Sequence, residues 1–335
     1  MCKEHVLLNN ELPYFKGNMH CHSTLSDGAQ TPEELKAWFK GHGYHFLAIT
    51  DHEVTYNHSD LDDEDFITIT SSELSVKEFP EVSTSTNRRM KVAHFNIYAK
   101  EQSNDATLFY STVADHYAPD ELRERLAAEL GDKTREYTPE GINEIIRGAN
   151  EAGFFVAYNH PRWSLETYRE YSAYEGLWGV EVYNTACARA GLNEYDINVV
   201  DDMLRDGKRV FATSGDDNHS ARTCGGTFVM VNAPSLTYKN LIDGLLAGNF
   251  YTSTGPEIYR LSVCGNEVTI TCSAARQISY STEGRRAKAV HAADEPLTSA
   301  TFKIEPDDGY FRLDVIDEQG QHANTQAYFL ADLGL

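Results

Sequence analysis

The sequence predicts an α/β protein in which residues 1–257 form a barrel of the (β/α) type and residues 258–335 form a small β-rich C-terminal domain. Three observations support this prediction. Short apolar runs alternate with helical segments through the first part, as expected for parallel strands covered by helices. Histidines and carboxylates stand where these runs end, which is where barrels of this type carry their chemistry. The last part instead has short alternating segments of strand type.

The first predicted strand contains Tyr14 and Phe15 and leads into a His-Cys-His segment. Alternate side chains of an extended segment point to the same side. His20 and His22 should therefore project together, about 7 Å apart along the backbone by strand rise. That spacing is close enough for them to share one metal ion. Asp27 stands in the following loop and would add an oxygen ligand.

A helix and a second strand come next. Residues 31–34, Thr-Pro-Glu-Glu, offer an N-cap threonine, a proline in the first turn and a capping box. Residues 45–50 then form a short apolar run that ends at Asp51 and His52. This order of elements predicts a parallel sheet with polar residues at the strand ends.

Further apolar runs end in the same way. Residues 66–72 lead to Glu73, and the run at 91–98 carries His94. Residues 101–138 are charged and have leucines at helical spacing, which predicts a helical excursion from the barrel.

The second half of the predicted barrel repeats this pattern. A helix over residues 139–153 and a strand over 154–158 precede an Asn-His-Pro segment that contains His160. A later apolar run precedes Asp217 and His219. All of these polar residues are expected at one end of the barrel.

Composition argues against several classes of protein. The 51 acidic and 29 basic residues give a formal charge of −22. General binding to nucleic acid or to membranes is therefore not expected, because such surfaces need clustered Lys and Arg. The six cysteines form no Cys-x-x-Cys pair and are expected to be ordinary thiols in a reducing compartment. With no signal-like N-terminal pattern or long apolar run in the sequence, a cytoplasmic location is expected.

Nine candidate ligands fall at the same predicted end of the barrel. Each one alone would more often be an ordinary polar residue, but together they supply nitrogen and oxygen ligands of the kind that bind Zn, Mn or Fe. The sequence therefore predicts a site for two or three divalent ions. The nine are His20, His22, Asp27, His52, Glu73, His94, His160, Asp217 and His219.

The order of these motifs resembles that of the polymerase-and-histidinol-phosphatase (PHP) family. The resemblance rests on His-x-His, Ile-Thr-Asp-His, a Glu after the third strand, a strand His, Asn-His-Pro and Asp-x-His, and covers residues 18 to about 225. It implies an irregular (β/α)7 barrel of PHP type, found in metal-dependent phosphoesterases that usually bind three ions. At the position of Asp27 some members have His, and Asp is an accepted variant.

Three further residues are candidates from their positions in the sequence, and the resemblance implies how the ligands are divided among the ions. Asp51 would orient a ligand histidine. Arg162 and Arg222, which follow the last two motifs, would bind substrate phosphate. The implied ligand groups are His20, His22, Glu73 and Asp217 for one ion, Glu73, His94 and His160 for a second, and Asp27, His52 and His219 for a third.

The function predicted from these residues is hydrolysis of a small phosphorylated metabolite or nucleotide by metal-activated water, with no side-chain nucleophile. A histidinol-phosphatase-like phosphomonoesterase is an alternative. Two alternatives belong to other classes: an amidohydrolase-type C–N hydrolase, which would normally use a carbamylated lysine, and a non-catalytic binding module. Substrate specificity is expected to lie in loops such as residues 77–90 and 101–138. The oligomeric state is left open.

Overall fold

The strands form three sheets in the computed structural model, which describes residues 4–9, 11–193 and 195–335. The earlier strands are β1 (Glu4–Leu8), β2 (Tyr14–Asn18), β3 (Phe46–Ala48), β4 (Ile67–Ile69), β5 (Ser71–Lys77), β6 (Val92–Ala99), β7 (Phe154–Tyr158), β8 (Gly179–Asn184), β9 (Phe211–Gly215), β10 (Phe228–Asn232) and β11 (Phe250–Ser253). The later strands are β12 (Ile258–Cys264), β13 (Glu267–Ala275), β14 (Gln277–Thr282), β15 (Ala287–His291), β16 (Leu297–Lys303), β17 (Tyr310–Ile316), β18 (His322–Thr325) and β19 (Tyr328–Phe329). The helices are α1 (Pro32–Gly41), α2 (Asp120–Leu130), α3 (Pro139–Glu151), α4 (Tyr168–Tyr171), α5 (Thr185–Arg189), α6 (Ile197–Arg205), α7 (Tyr238–Leu246) and α8 (Leu330–Leu333).

Two of the sheets contain the strands that carry or precede the predicted metal ligands. One has the order β5-β6-β7-β8-β9, and the larger one has the order β15-β14-β17-β18-β11-β10-β2-β3-β4, with β19 paired to β17. Strands β2, β3 and β4 run parallel, as do β7, β8 and β9. The chain passes from one sheet to the other between β4 and β5, at Thr70. Side chains of both sheets, such as Phe46 of β3 and Phe155 of β7, pack in one apolar cluster.

The expected irregular (β/α)7 barrel is not confirmed, because strand pairing within the described residues forms no closed barrel. Residues 78–91 join β5 to β6 without a helix, so β6 runs antiparallel to both of its neighbours. Beyond β9, the two sheets meet in an isolated bridge between Cys21 and Asn218. The architecture is therefore mixed α/β with several sheets.

Local sequence signals explain the helices that cover these sheets. The capping box predicted at Thr31 and Glu34 is present at the start of α1, and Leu35 and Phe39 bury one face of that helix. Thr138 caps α3 through the backbone N–H of Gly141. The predicted excursion over residues 101–138 is helical only in α2, which buries none of its side chains.

An apolar core holds the five-stranded sheet in place. Ile145 and Ile146 of α3 and Met203 of α6 pack against inward-facing side chains of the strands, such as Phe95 and Val156. Burying side chains of this kind contributes about 1.5–3 kcal/mol each. The ends of β5 to β9 are thereby fixed relative to one another.

Residues 258–335 are rich in strands, as expected. Strands β14, β17 and β18 extend the large sheet from β11, and β12 pairs with β1 at the other end of the chain. The guanidinium of Arg312 donates to both carboxylate oxygens of Asp201 in α6, at 2.7 and 2.6 Å. The domain boundary between residues 257 and 258 stays a prediction.

The cysteines differ in part from expectation. Cys21, Cys224 and Cys272 are buried free thiols, whereas Cys264 is disulfide-bonded. The expectation of ordinary thiols is therefore wrong for Cys264. Disulfides persist mainly in oxidising compartments, so this bond does not support the expected cytoplasmic location, which stays a prediction. Among the described residues, no helix has the length and apolar character needed to cross a bilayer.

Candidate metal centre

All nine predicted ligands lie together beyond the carboxyl ends of the parallel strands and on neighbouring strands β5 and β6. Seven of the nine are buried, whereas Asp27 and His219 are partly exposed to solvent. Ligand atoms lie within 4.8 Å of one another in four groups: His22, Asp27, His52 and His219; His20, His22 and Glu73; His20, His160 and Asp217; and Glu73, His94 and His160. These groups overlap those implied by the resemblance, with His22 added to the group around Asp27.

Glu73 stands at the centre of the cluster. Its Oε1 lies 3.1 Å from His94 Nδ1 and 3.3 Å from His160 Nε2. Its Oε2 lies 3.3 Å from His52 Nδ1 and 3.4 Å from His22 Nε2. Because its two oxygens face different histidines, this carboxylate can serve two metal ions at once.

Asp217 faces the histidine pair that follows β2. Its Oδ1 lies 3.0 Å from His22 Nε2 and 3.4 Å from His20 Nε2. Both Asp217 and His160 have positive φ, 49° and 28°. Strained backbone of this kind concentrates at functional sites, where the surrounding structure holds it.

Two buried nitrogen atoms indicate how well this cluster suits metal ions. His52 Nδ1 and His94 Nδ1 have no hydrogen-bond partner within the described residues. Leaving a buried polar atom unsatisfied costs about 1–3 kcal/mol, and both atoms face oxygens of Glu73 at more than 3 Å. A divalent ion between nitrogen and carboxylate would satisfy both partners, so the residues present fit the predicted ions.

Neighbouring side chains fix the orientation of the ligands. Glu181 Oε1 accepts a hydrogen bond from His20 Nδ1 at 2.9 Å, if that nitrogen carries the proton, and Oε2 accepts from the backbone N–H of His160 at 3.0 Å. Asn159 Nδ2 donates to Glu73 Oε1 at 2.7 Å. Asn184 Nδ2 donates to Glu181 and to Asp217. Asn159 and Asn184 were not predicted as site residues, although their places at the ends of β7 and β8 were a signal.

Asp51 does not contact a ligand histidine directly in the described structure. It accepts hydrogen bonds from the backbone N–H of Ser23 at 2.8 Å and from the hydroxyls of Ser23 and Ser26, both at 2.6 Å. Ser26 Oγ in turn lies 3.4 Å from His22 Nδ1. The predicted orienting role is therefore indirect, because the Asp51 carboxylate is directed at the loop that carries Asp27.

The electrostatics of the cluster are those of carboxylates surrounded by imidazoles. Burial opposes the charge on His22, but hydrogen bonds to Asp217 and Glu73 raise its pKa to about 10. Burial, together with the charge of His22, lowers the pKa of His52 well below its usual value. Metal ligation requires the neutral imidazole, so ion binding would release protons from this cluster.

A cavity of about 550 Å³ opens over the cluster of candidate ligands. This volume lies within the range of small-ligand sites. Residues 80–84 and the aromatic pair His116 and Tyr117 form part of its wall, so both loops expected to set specificity reach the cavity. The Tyr117 ring stacks on His52 with a centroid distance of 4.6 Å, and Trp163 lies 5.1 Å from the His94 ring.

The two predicted phosphate-binding arginines lie outside this cavity. Arg162 and Arg222 are both exposed, and neither lines the cavity wall. The backbone carbonyl of Arg222 accepts a hydrogen bond from Arg189. Phosphate binding by these two arginines stays a prediction, and their positions do not favour it. Lys77, at the end of β5, is the one lysine or arginine among the described residues that lines the cavity.

Comparison with known proteins gives one partial sequence match. No protein-family model matches the chain. The chain is 31% identical over 121 residues to a 5′-3′ exoribonuclease of Haemophilus influenzae. The match covers 35% of this chain and 39% of the relative, so it spans well under half of the relative's length.

Several solved structures are distantly similar. A two-domain protein from Bacteroides vulgatus, which contains a predicted PHP-like metal-dependent phosphoesterase, is matched over 98% of this chain and 97% of its own, with 13% identity and a TM-score of 0.46. A candidate metal-dependent phosphoesterase from Bifidobacterium adolescentis is matched over 61% and 87%, with 18% identity and a TM-score of 0.40. A lesion-specific endonuclease from Pyrococcus furiosus is matched over 69% and 55%, with 15% identity and a TM-score of 0.34. A protein that contains a predicted PHP-like phosphoesterase is thus among the structures to which this chain is similar.

Proposed function

We propose that the chain is a PHP-type metal-dependent phosphoesterase that binds two or three divalent ions, of the Zn, Mn or Fe kind, and hydrolyses a small phosphorylated metabolite or nucleotide. One observation carries the proposal: nine candidate nitrogen and oxygen ligands cluster around Glu73, and seven of them line a solvent-accessible cavity. A purely structural metal site would normally be closed to substrate.

Different residues of the site would have different roles in this reaction. Bound divalent ions would supply a water molecule of lowered pKa and would neutralise charge on the phosphoryl oxygens. Glu73 would hold two ligand groups at a fixed separation. Glu181 binds His20 Nδ1 and so leaves Nε2 as the ligand atom. Cys21 is buried in an apolar cluster with Leu35, so its thiol is not available as a nucleophile.

The position of Glu73 also bears on the amidohydrolase alternative. A C–N hydrolase of that type would be expected to have a carbamylated lysine between its metal ions. Here a glutamate lies between the ligand groups, which favours the phosphoesterase.

A nucleic-acid end is a second candidate substrate. The net charge of −22 led us to expect no general nucleic-acid binding. The partial match to a 5′-3′ exoribonuclease means that this expectation is not supported. A 5′-phosphorylated oligoribonucleotide therefore belongs in the substrate panel beside phosphorylated metabolites.

The test is phosphate or nucleotide release from this panel by the metal-loaded protein. Glu73→Gln keeps the size of the side chain but removes its charge, and it should reduce turnover to background. Lys288→Ala, an exposed change on β15, is the matched control and should leave turnover unchanged. Release that persists in Glu73→Gln would place the activity elsewhere and refute the proposed site.

A further inference from the structure

We propose that Lys77 binds an anionic group of the substrate that lies away from the scissile phosphate, and that it selects substrates carrying such a second anion. This inference rests on the proposed function, because it takes the cavity above the metal cluster to be the substrate site. It names a residue and a chemical class of substrate that the metal ligands alone do not define.

The strand that carries Glu73 also places Lys77. Alternate residues of β5 share a face, so Glu73, Ser75 and Lys77 point to the same side. Four residues of strand separate the backbone of Lys77 from that of Glu73 by about 13 Å. Ser75 and Lys77 both line the cavity. The ammonium therefore lies along the same wall as the metal ligands but away from them.

The charge of Lys77 is not neutralised by a neighbouring carboxylate. It forms no salt bridge with any described residue, whereas Lys91 pairs with Glu170 and Arg135 pairs with Glu53. The charged groups that act on it are those of Glu53 and Arg135, which have opposite signs. Lys77 is half-buried, and this burial lowers the pKa of its ammonium group. A bound anion would therefore meet a partly desolvated cation that lacks a partner.

The space around Lys77 can accept such a group. A second cavity of about 200 Å³ shares several wall residues with the metal cavity, including Ser75, Lys77 and Val113. Lys77 thus stands where the two cavities adjoin. The smaller cavity adds Lys133 and the hydroxyl-bearing Ser111 to its wall. The charged residues of that wall are three cations and two carboxylates: Lys77, Lys133, Arg135, Glu81 and Asp132. In a protein of net charge −22, a wall on which cations outnumber carboxylates and hydroxyl groups are present suits phosphate or carboxylate.

Two pairs of phosphate esters distinguish the chemistry of the second anion. Adenosine 3′,5′-bisphosphate is compared with adenosine 5′-monophosphate, and 3-phosphoglycerate with glycerol 3-phosphate. Steady-state kinetics and calorimetric binding are measured for the metal-loaded wild type, Lys77→Ala, Lys77→Arg and the exposed control Lys288→Ala. We expect the wild type to prefer the doubly anionic member of at least one pair. Lys77→Ala should lose about tenfold in kcat/KM for that member through KM, as expected for a hydrogen bond to a charged group, while Lys77→Arg retains the preference.

The outcomes separate this inference from the proposed function. If the wild type hydrolyses the esters but Lys77→Ala affects both members of each pair equally, or neither, the role of Lys77 is overturned and the phosphoesterase stands. If no ester is hydrolysed, the proposed function loses its support and binding decides the inference. Tighter binding of the doubly anionic member that is lost in Lys77→Ala supports the Lys77 site, and equal binding of both members overturns it. A preference for the bisphosphate alone or for 3-phosphoglycerate alone identifies the anion as phosphate or carboxylate.

Discussion

The buried ion pair between Glu53 and Arg135 gives the sharpest prediction about stability. Glu53 follows the ligand His52, has a φ of 69°, and is fully buried. Its Oε1 accepts hydrogen bonds from the N–H and the hydroxyl of Ser75 at 3.0 and 2.9 Å. Its Oε2 lies 2.5 Å from Arg135 Nη2. The same guanidinium donates to the backbone carbonyls of Ser75 and Phe109.

Replacing Arg135 by Met removes the cation and leaves the carboxylate of Glu53 buried without its counter-charge. Breaking a buried pair in this way costs about 3–5 kcal/mol. The substitution also leaves the carbonyl of Phe109 without its donor, which loosens the segment that carries His116 and Tyr117. We therefore expect a loss of about 3–5 kcal/mol in the free energy of unfolding, measured by urea denaturation.

Arg209→Met is the matched control, because Arg209 pairs with Asp332 while both side chains are more than half exposed. Exposed pairs contribute about 0–1 kcal/mol, so this variant should stay near the wild type. A double variant, Glu53→Gln with Arg135→Met, should lose less than the sum of the single changes, because the unpaired buried charge is gone. Equal losses for Arg135→Met and Arg209→Met would refute the reasoning.

Three further predictions concern the metal centre. Asp27→Asn should weaken the binding of one ion, because Asp27 belongs to a single ligand group, whereas Glu73→Gln should reduce the binding of more than one. Elemental analysis of both variants measures the ions lost, and an equal loss in the two variants would contradict the grouping. Glu181→Gln should weaken metal affinity by about 10–100-fold, because it disturbs the hydrogen bond that orients His20; a fluorescent-chelator competition measures this, and unchanged affinity would contradict it. Loading the protein with metal should raise its melting temperature, because ions that bind the folded state stabilise it; differential scanning calorimetry with and without chelator is the check.

The positions of the candidate ligands could be predicted from sequence because the signals are local. His20 and His22 alternate along an extended segment, and Glu73 comes close to them because β5 follows directly on β4, which runs parallel to β3 and β2 in the large sheet. The capping box at the start of α1 is local in the same sense, since four consecutive residues define it. Signals of this kind need no knowledge of the long-range fold.

The strand arrangement and the cavity wall could not be read in the same way. The reversed direction of β6 depends on how residues 78–91 turn back, which no local pattern reports. The exposure of Arg162 and Arg222 depends on where their loops direct the side chains. Lys77 carried no motif, and its place in the cavity follows from the alternation of β5 once the strand is known. Sequence spacing therefore locates ligands on strands better than it locates substrate contacts on loops.

The central claim is that the nine ligands hold catalytic divalent ions, and one measurement tests it most directly. Metal content per chain is determined by elemental analysis across a gel-filtration peak, and phosphate release from the substrate panel is measured in the same fractions. Both measurements are repeated after chelation and again after Zn²⁺ or Mn²⁺ is added back. The account predicts two or three ions per chain, release that is lost on chelation, and recovery when metal is restored. Full turnover in protein stripped of metal, or no metal uptake at all, would contradict it.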